Sequence, residues 1–254
     1  MVKHQYYYHD LSDDLVTTKD QDYHLASNYT ILPTSAGHRF WSTIIKRVAH
    51  LASIIYNRVI VRVHIIGKEK LAAAHGQGYF IYGNHTQAFG DAILPLSFLP
   101  ANNYYAICAQ ANWSIPILGK LVVPYFGLPV GYNLQESGKL VKAVKKVIKA
   151  SKTVVIYPEA HVWPYYTKIR PFSATSMHFP IALNVPSFVM TTTYHRPKRG
   201  KQPQIIVYLD GPFYPDNNLN KKQAQNKLHK QIYTMMQKRA ALSDYQYCTY
   251  TKKD

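Results

Sequence analysis

A chain of 254 residues with 47% hydrophobic residues is long enough to bury one substantial core, and this composition excludes a disordered protein. The two cysteines are too few for a disulfide framework and fit a reducing cytosol. A net charge of +17 predicts attraction to a polyanion, and charge alone does not choose between nucleic acid and an anionic membrane surface.

Residues 1–36 form an acidic, tyrosine-rich arm without a clear period. Five aspartates and two lysines give the arm a net charge of −3, so residues 37–254 carry +20. The chain opens with polar and aromatic residues, and no run of about 18 apolar residues occurs anywhere, so we expect neither a signal peptide nor a membrane-spanning helix. The expected organisation is the arm followed by one domain at 37–254.

Residues 38–58 have apolar side chains at spacings of three and four, which is typical of an amphipathic helix. Basic residues lie mostly between the apolar ones, and Trp41 stands near one end. A helix of this kind either packs on a sheet or lies in a membrane interface, and the pattern fits both alternatives.

Several segments rich in β-branched and aromatic residues predict strands, with helical patterns between some of them. The predicted strands are 59–66, 78–83, 104–108, 153–157, 187–194 and 204–209. This alternation predicts an α/β fold, with a single domain built on a mixed, mostly parallel sheet of about seven strands flanked by helices.

The clearest helical pattern is at 134–150, and another lies at about 220–242. Asn133 and Glu136 have the spacing of a capping box at the start of the first of these helices. Lysines form its polar face, which we expect to meet solvent or lipid headgroups. Together with 38–58, this helix is expected to hold the protein on anionic lipid.

The stretch GNHTQAFGDA follows predicted strand 78–83. Ligands of parallel sheets bind beyond the carboxyl ends of strands, which is where Asn84 and His85 fall. A neutral imidazole accepts a proton near pH 7 when a carboxylate holds its other nitrogen, and Asp91 is placed to do so. The alternative is that His85 and Asp91 cap the following helix independently.

The stretch YPEAHVWPYYTKIRPF follows a second predicted strand and again places polar residues at its carboxyl end. Pro158 and Glu159 come first, and Glu159 is expected to accept a hydrogen bond from a substrate hydroxyl or from main-chain amides. His161, Lys168 and Arg170 are expected to bind phosphate. The alternative is a turn with solvated charges.

Four sequence blocks, in order, resemble the glycerolipid acyltransferases typified by lysophosphatidate acyltransferase. They are GNHTQAFGDA, IPILGKLVVPYFGLPVGY, YPEAHV with RPFS, and NVPSFVMTTTY, within residues 38–212. The resemblance implies an acyltransferase fold, an acyl carrier protein or coenzyme A thioester as donor, no bound cofactor and a membrane-surface acceptor. It gives His85 the role of general base and Asp91 that of its orienting partner, and it places Asn84, Pro158 and Glu159 in the substrate site.

The sequence also departs from the family pattern. Five residues separate His85 from Asp91, where the family has four. Tyr132 stands in place of an arginine, and residues 160–162 are Ala-His-Val instead of Gly-Thr-Arg. The cations that hold the acceptor's phosphate in the family are thus missing from their usual places. Either the cations of the third block replace them or the acceptor has no phosphate.

Other chemistries fit poorly. The chain has no Gly-x-Ser-x-Gly elbow, no phosphate-loop glycine spacing and no histidine spacing typical of a zinc site, so we expect no metal. The expected protein is a cytoplasmic O-acyltransferase of phospholipid biosynthesis, peripheral on the inner face of the cell membrane, with the lysolipid lysophosphatidate as acceptor. The alternatives are an acyltransferase for a glycolipid or polyol and a non-catalytic lipid- or nucleic-acid-binding protein. The basic residues form no recognised nucleic-acid-binding module, so we expect no nucleic acid as a partner.

Overall fold

The computed structural model describes residues 4–16, 20–197, 200 and 202–253, and within them a seven-stranded sheet forms the centre of the fold. The strands are β1 (His4–Tyr8), β2 (His64–Ile66), β3 (Tyr79–Gly83), β4 (Tyr104–Cys108), β5 (Gly127–Pro129), β6 (Thr153–Ile156), β7 (Ser187–His195), β8 (Gln204–Phe213) and β9 (Cys248–Lys252). The central sheet has the order β2-β8-β7-β3-β6-β4-β5. Its neighbouring strands are parallel except β7 and β8, which confirms the predicted mixed, mostly parallel α/β fold.

Helices connect and flank these strands. They are α1 (Ala36–Ile54), α2 (Gly90–Ile93), α3 (Leu118–Leu121), α4 (Val123–Phe126), α5 (Leu134–Lys149), α6 (His178–Leu183) and α7 (Lys221–Ala240). The helices predicted at 134–150 and 220–242 are confirmed as α5 and α7. The predicted cap is confirmed as well, because the side chain of Asn133 accepts the N–H of Glu136 at 2.9 Å.

The sheet separates two hydrophobic cores. Alternate residues of a strand point to opposite faces, so Phe80 and Tyr82 of β3 join the core under α5 and α7, whereas Tyr79 and Ile81 join the core under α1. Helices α1 and α5 therefore cover opposite faces of the sheet. The two helices expected to hold the protein on anionic lipid therefore do not share one face of the sheet, and the lipid contact stays a prediction.

Helix α1 turns its apolar side outward. The buried residues of α1 are Lys46 and Ser53. The π-helical turn Ile55–Ile60 continues α1, and its buried residue is Asn57. The strand predicted at 59–66 begins only at His64, because this turn carries the helical path through Ile60. The exposed residues, here named the α1 apolar surface, are Phe40, Trp41, Ile44, Val48, Leu51, Ile55, Val59 and Ile60. Among the described residues, no helix combines the length and apolar character needed to cross a membrane.

A second, two-stranded sheet ties the arm to residues near the other end of the sequence. Strand β1 of the arm pairs in parallel with β9, from His4 opposite Cys248 to Tyr8 opposite Lys252. The sequence predicts neither strand, because the arm has no clear alternation. Residues 1–3 and 17–19 of the predicted arm, and 198, 199, 201 and 254 of the predicted domain, lie outside the described residues. The division into arm and domain stays a prediction.

Candidate active site

Two neighbouring strands bring the two polar stretches to one edge of the sheet. Strands β3 and β6 are parallel, so the residues that follow them leave the sheet on the same side. The main-chain N–H of His85, after β3, donates to Oε2 of Glu159, after β6, at 3.2 Å. Both predicted stretches therefore form one site.

His85 and Asp91 are in direct hydrogen-bond contact. Nδ1 of the imidazole lies 2.8 Å from Oδ2 of the carboxylate, which also accepts the main-chain N–H groups of Thr86 at 2.7 Å and Gln87 at 2.9 Å. The side chain of Asp91 is 1% exposed and that of His85 is 20% exposed. Because Nδ1 is held by the carboxylate, Nε2 is the nitrogen that can meet a substrate. The five-residue spacing accommodates this pair, since the loop wraps around the carboxylate.

The ring of Tyr157 lies against the face of the His85 imidazole. Its ring stacks on His85 with centroids 4.6 Å apart and an interplanar angle of 21°, and its hydroxyl donates to the main-chain oxygen of Asp91 at 2.6 Å. Burial raises the pKa of Tyr157, which keeps the hydroxyl protonated as a donor. Glycine is needed at position 83 because a Cβ there would lie 2.6 Å from Cε1 of the Tyr157 ring.

Glu159 and Arg170 form a buried ion pair behind His85. Their side chains are 0% and 1% exposed, and Nη2 of Arg170 lies 3.3 Å from Oε2 of Glu159. The second carboxylate oxygen accepts the main-chain N–H of Arg170 at 2.9 Å. Burial raises the pKa of Glu159, while Arg170 and the main-chain N–H of His85 oppose this shift. Glu159 thus accepts hydrogen bonds from main-chain amides, one of the two roles expected from the sequence.

This burial corrects the role expected for Arg170. Its guanidinium also donates to the main-chain oxygens of Leu11, at 3.0 Å, and of His161. A side chain enclosed by protein acceptors in this way is not placed to contact a substrate phosphate. Arg170 instead positions Glu159.

Asn84 is also a positioning residue in this structure. It is buried, and its carboxamide makes two hydrogen bonds, of 3.0 and 2.8 Å, with the main chain of Thr192 in β7. These bonds fix the end of β3 to its neighbour β7. The substrate contact expected for Asn84 does not fit this placement, because both ends of its amide are engaged inside the protein.

The other predicted site residues have looser surroundings. Pro158, between Tyr157 and Glu159 in the sequence, is half-buried. His161 is partly exposed, and its Nδ1 lies 3.3 Å from Oδ2 of Asp14 in the arm. Lys168 is exposed and is the cation of this group left open to solvent.

Two residues that the sequence does not single out also hold the loop that carries His85, residues 84–89, here named the His85 loop. The main-chain N–H of Trp163 donates to the oxygen of His85 at 3.0 Å, and that of Tyr165 donates to the oxygen of Thr86 at 2.9 Å. The segment after Glu159 therefore runs along the loop that carries His85. The signal in the sequence is the aromatic run VWPYY, which is unusual for a solvent-exposed turn.

No protein-family model and no curated protein sequence matches this chain. Among solved structures it is similar to the crystal structure of the 1-acyl-sn-glycerophosphate (LPA) acyltransferase PlsC from Thermotoga maritima, with a TM-score of 0.55. The similarity covers 82% of this chain and 83% of that chain, at 14% sequence identity. The chain therefore has an LPA acyltransferase-like fold, which confirms the fold implied by the four sequence blocks. At this identity the likeness concerns the fold alone.

Proposed function

We propose that this protein is an O-acyltransferase that moves a fatty acyl group from a thioester to a hydroxyl of a membrane lipid. The observation that carries this function is the His85–Asp91 pair, at the carboxyl edge of a sheet with an LPA acyltransferase-like fold. The donor is a thioester of acyl carrier protein or of coenzyme A, as the sequence resemblance implies.

The geometry of the pair supports direct transfer to the acceptor. Nε2 of His85 takes the proton of the acceptor hydroxyl as its oxygen attacks the thioester carbonyl, and a positioned base of this kind contributes about 10²- to 10⁴-fold in rate. Asp91 stabilises the imidazolium that forms. When the tetrahedral intermediate collapses, the carbon–sulfur bond breaks and the imidazolium returns the proton to the thiolate. Main-chain N–H groups near the site stabilise the oxyanion.

The α1 apolar surface supports a peripheral membrane location. Phe40, Trp41 and Val48 are more than half exposed, and arginines at 39, 47 and 58 add positive charge beside them. The surface also extends toward the site, because Phe89 of the His85 loop packs edge-on against Tyr56, with ring centroids 5.6 Å apart. An amphipathic helix of this composition binds anionic lipid in the plane of the interface. We place the protein on the inner, cytoplasmic face of the cell membrane.

Lysophosphatidate is the acceptor to which the sequence resemblance points. An uncharged acceptor, such as a glycolipid or polyol, is the second candidate, and specific contacts favour it. Arg170 is enclosed in its pair with Glu159, and His161 faces the carboxylate of Asp14. Tyr132, at the place of the family's arginine, meets the ring of His24 at 4.8 Å. Lys168 is thus the cation of the third block that remains for a phosphate.

The test is to incubate the purified protein with labelled acyl thioesters, carried by acyl carrier protein or coenzyme A, and a panel of lysolipids and glycolipids. Mass spectrometry then identifies any acylated product. Transfer to lysophosphatidate that falls in Lys168→Ala, with wild-type turnover of neutral acceptors, supports the first candidate. Preference for a neutral acceptor, with no effect of Lys168→Ala, supports the second. No transfer to any hydroxyl acceptor from either donor contradicts the proposed function.

A further inference from the structure

We infer that the acidic, tyrosine-rich arm is a positioning element for His85, acting through Trp163 and Arg170. The inference rests on the proposed role of His85 as the general base. It assigns a purpose to a segment that lies outside all four sequence blocks, whose charge is opposite to that of the rest of the chain.

The main chain of His85 is held on both sides by the segment that follows β6. Its N–H donates to Oε2 of Glu159 at 3.2 Å, and its carbonyl oxygen accepts the N–H of Trp163 at 3.0 Å. The position of the imidazole therefore depends on where Glu159 and Trp163 lie.

Two main-chain carbonyls of the arm fix these supports. The indole N–H of Trp163 donates to the oxygen of Asp13 at 2.9 Å. The guanidinium of Arg170, which is paired with Glu159, donates to the oxygen of Leu11 at 3.0 Å. Each of the two main-chain bonds of His85 therefore leads back to the arm, one through the side chain of Trp163 and the other through the paired side chains of Glu159 and Arg170.

An aromatic cage holds Trp163 in one position. Its side chain is fully buried, and its ring lies 4.8 Å from that of Tyr8 in β1 and 5.1 Å from that of Tyr250 in β9, with an angle of 4° to the latter. The guanidinium of Arg170 lies 5.0 Å from the Trp163 ring. Pairing of β1 with β9 places Tyr8 in this cage. Because buried donors keep their acceptors, the cage and the two arm carbonyls hold the segment behind His85 in the observed arrangement.

Side chains of β1 on opposite faces offer a matched test in the full-length protein. Tyr8→Ala removes a wall of the cage, and Trp163→Phe removes the indole N–H while keeping a ring and the main-chain bond to His85. Tyr7→Ala is the control, because Tyr7 is 48% exposed and its ring meets Lys253 instead of Trp163. A melting curve for each variant establishes that it is folded, and Tyr8→Leu replaces Tyr8→Ala if the latter does not fold.

A displacement of about 1 Å in a catalytic group costs on the order of 10²-fold in rate. We expect Tyr8→Ala and Trp163→Phe to lower kcat by roughly 10- to 100-fold with KM changed less than about twofold, and Tyr7→Ala to match the wild type. Wild-type kcat in both variants, a rise in kcat, or a rise in KM alone overturns the inference. The last two results make the arm an inhibitory strap or an acceptor-binding segment instead.

A second readout needs no substrate. We expect a proton on Nδ1 of His85, hydrogen-bonded to Asp91, to give a low-field NMR signal that is identified by its loss in His85→Gln. We expect this signal to broaden or shift in Tyr8→Ala and Trp163→Phe and to stay unchanged in Tyr7→Ala. An unchanged signal in all three variants overturns the positioning role. If the signal responds but no acyl transfer occurs with any acceptor, the proposed function fails while the link between the arm and His85 stands.

Discussion

Replacing Glu159 by Gln tests whether the buried ion pair with Arg170 holds the site together. Their side chains are 0% and 1% exposed, so Glu159→Gln leaves a guanidinium without its counter-charge where water does not reach it. Breaking a buried pair in this way costs about 3–5 kcal/mol. In a domain of this size, each kcal/mol shifts the melting temperature by about 2–4 °C, so we expect a drop of roughly 6–20 °C. We also expect kcat to fall, because the carboxylate that accepts the N–H of His85 has lost its charge.

Thermal unfolding and turnover of the same preparation provide the assay. Asp216→Asn is the matched control, since the pair of Asp216 with Lys227 is also close, at 2.6 Å, but lies at the surface. Solvent screens such pairs, so the control should melt near the wild type. If Glu159→Gln melts within about 2 °C of the wild type, the buried pair does not stabilise the protein and the reasoning about the site's support is refuted.

Further predictions concern the His85–Asp91 pair, the α1 apolar surface and the buried side chain of Lys46. Asp91→Asn should lower kcat by roughly 10²- to 10⁴-fold in steady-state turnover, and a variant with wild-type kcat would show that the carboxylate does not assist the base. The double change Trp41→Ser and Val48→Ser should weaken cosedimentation with anionic vesicles by roughly tenfold or more. The control Leu134→Ser, on the opposite face of the sheet, should bind as the wild type does. Equal binding by the double variant, the control and the wild type excludes the α1 apolar surface as the contact. Burial, and then the charge of a neighbouring lysine, lower the pKa of Lys46 to about 7. Between that pKa and about 10.4, the unfolded chain binds a proton at Lys46 that the folded chain does not. This group therefore makes the free energy of unfolding increase as the pH rises through that window, and its destabilising effect is largest near pH 7. Urea unfolding at pH 7 and pH 9 should show that Lys46→Met is more stable at pH 7 and has a smaller rise; the same rise as in the wild type contradicts the assignment.

The sequence predicts best the elements whose pattern is local. Strands β3, β4 and β6 lie within one residue of the predicted bounds, because short buried runs of β-branched and aromatic residues leave few alternatives. The cap at Asn133 is equally local, since it depends on a spacing of three residues.

The features that the sequence does not reveal depend on contacts between distant residues. Periodicity shows that α1 has an apolar side, but whether that side faces the sheet or the solvent depends on contacts with residues far away in the sequence, and in the structure it is Lys46 and Ser53 that are buried. The burial of Arg170 depends on its carboxylate partner and on arm residues that precede it by more than 150 positions. The contact between Trp163 and Asp13 spans 150 residues in the same way. No local sequence pattern reveals such long-range contacts. Taken alone, the cations that follow YPEAHV therefore resemble exposed ligands for a phosphate.

The most direct measurement of the central claim is turnover by His85→Ala beside the wild type, with labelled acyl thioester and the best acceptor from the lipid panel. Ester formation and thioester hydrolysis are followed separately in each reaction. We predict that ester formation falls by about 10²-fold or more, with the variant folded and bound to vesicles as the wild type is. Ester formed at the wild-type rate without this imidazole would contradict the account.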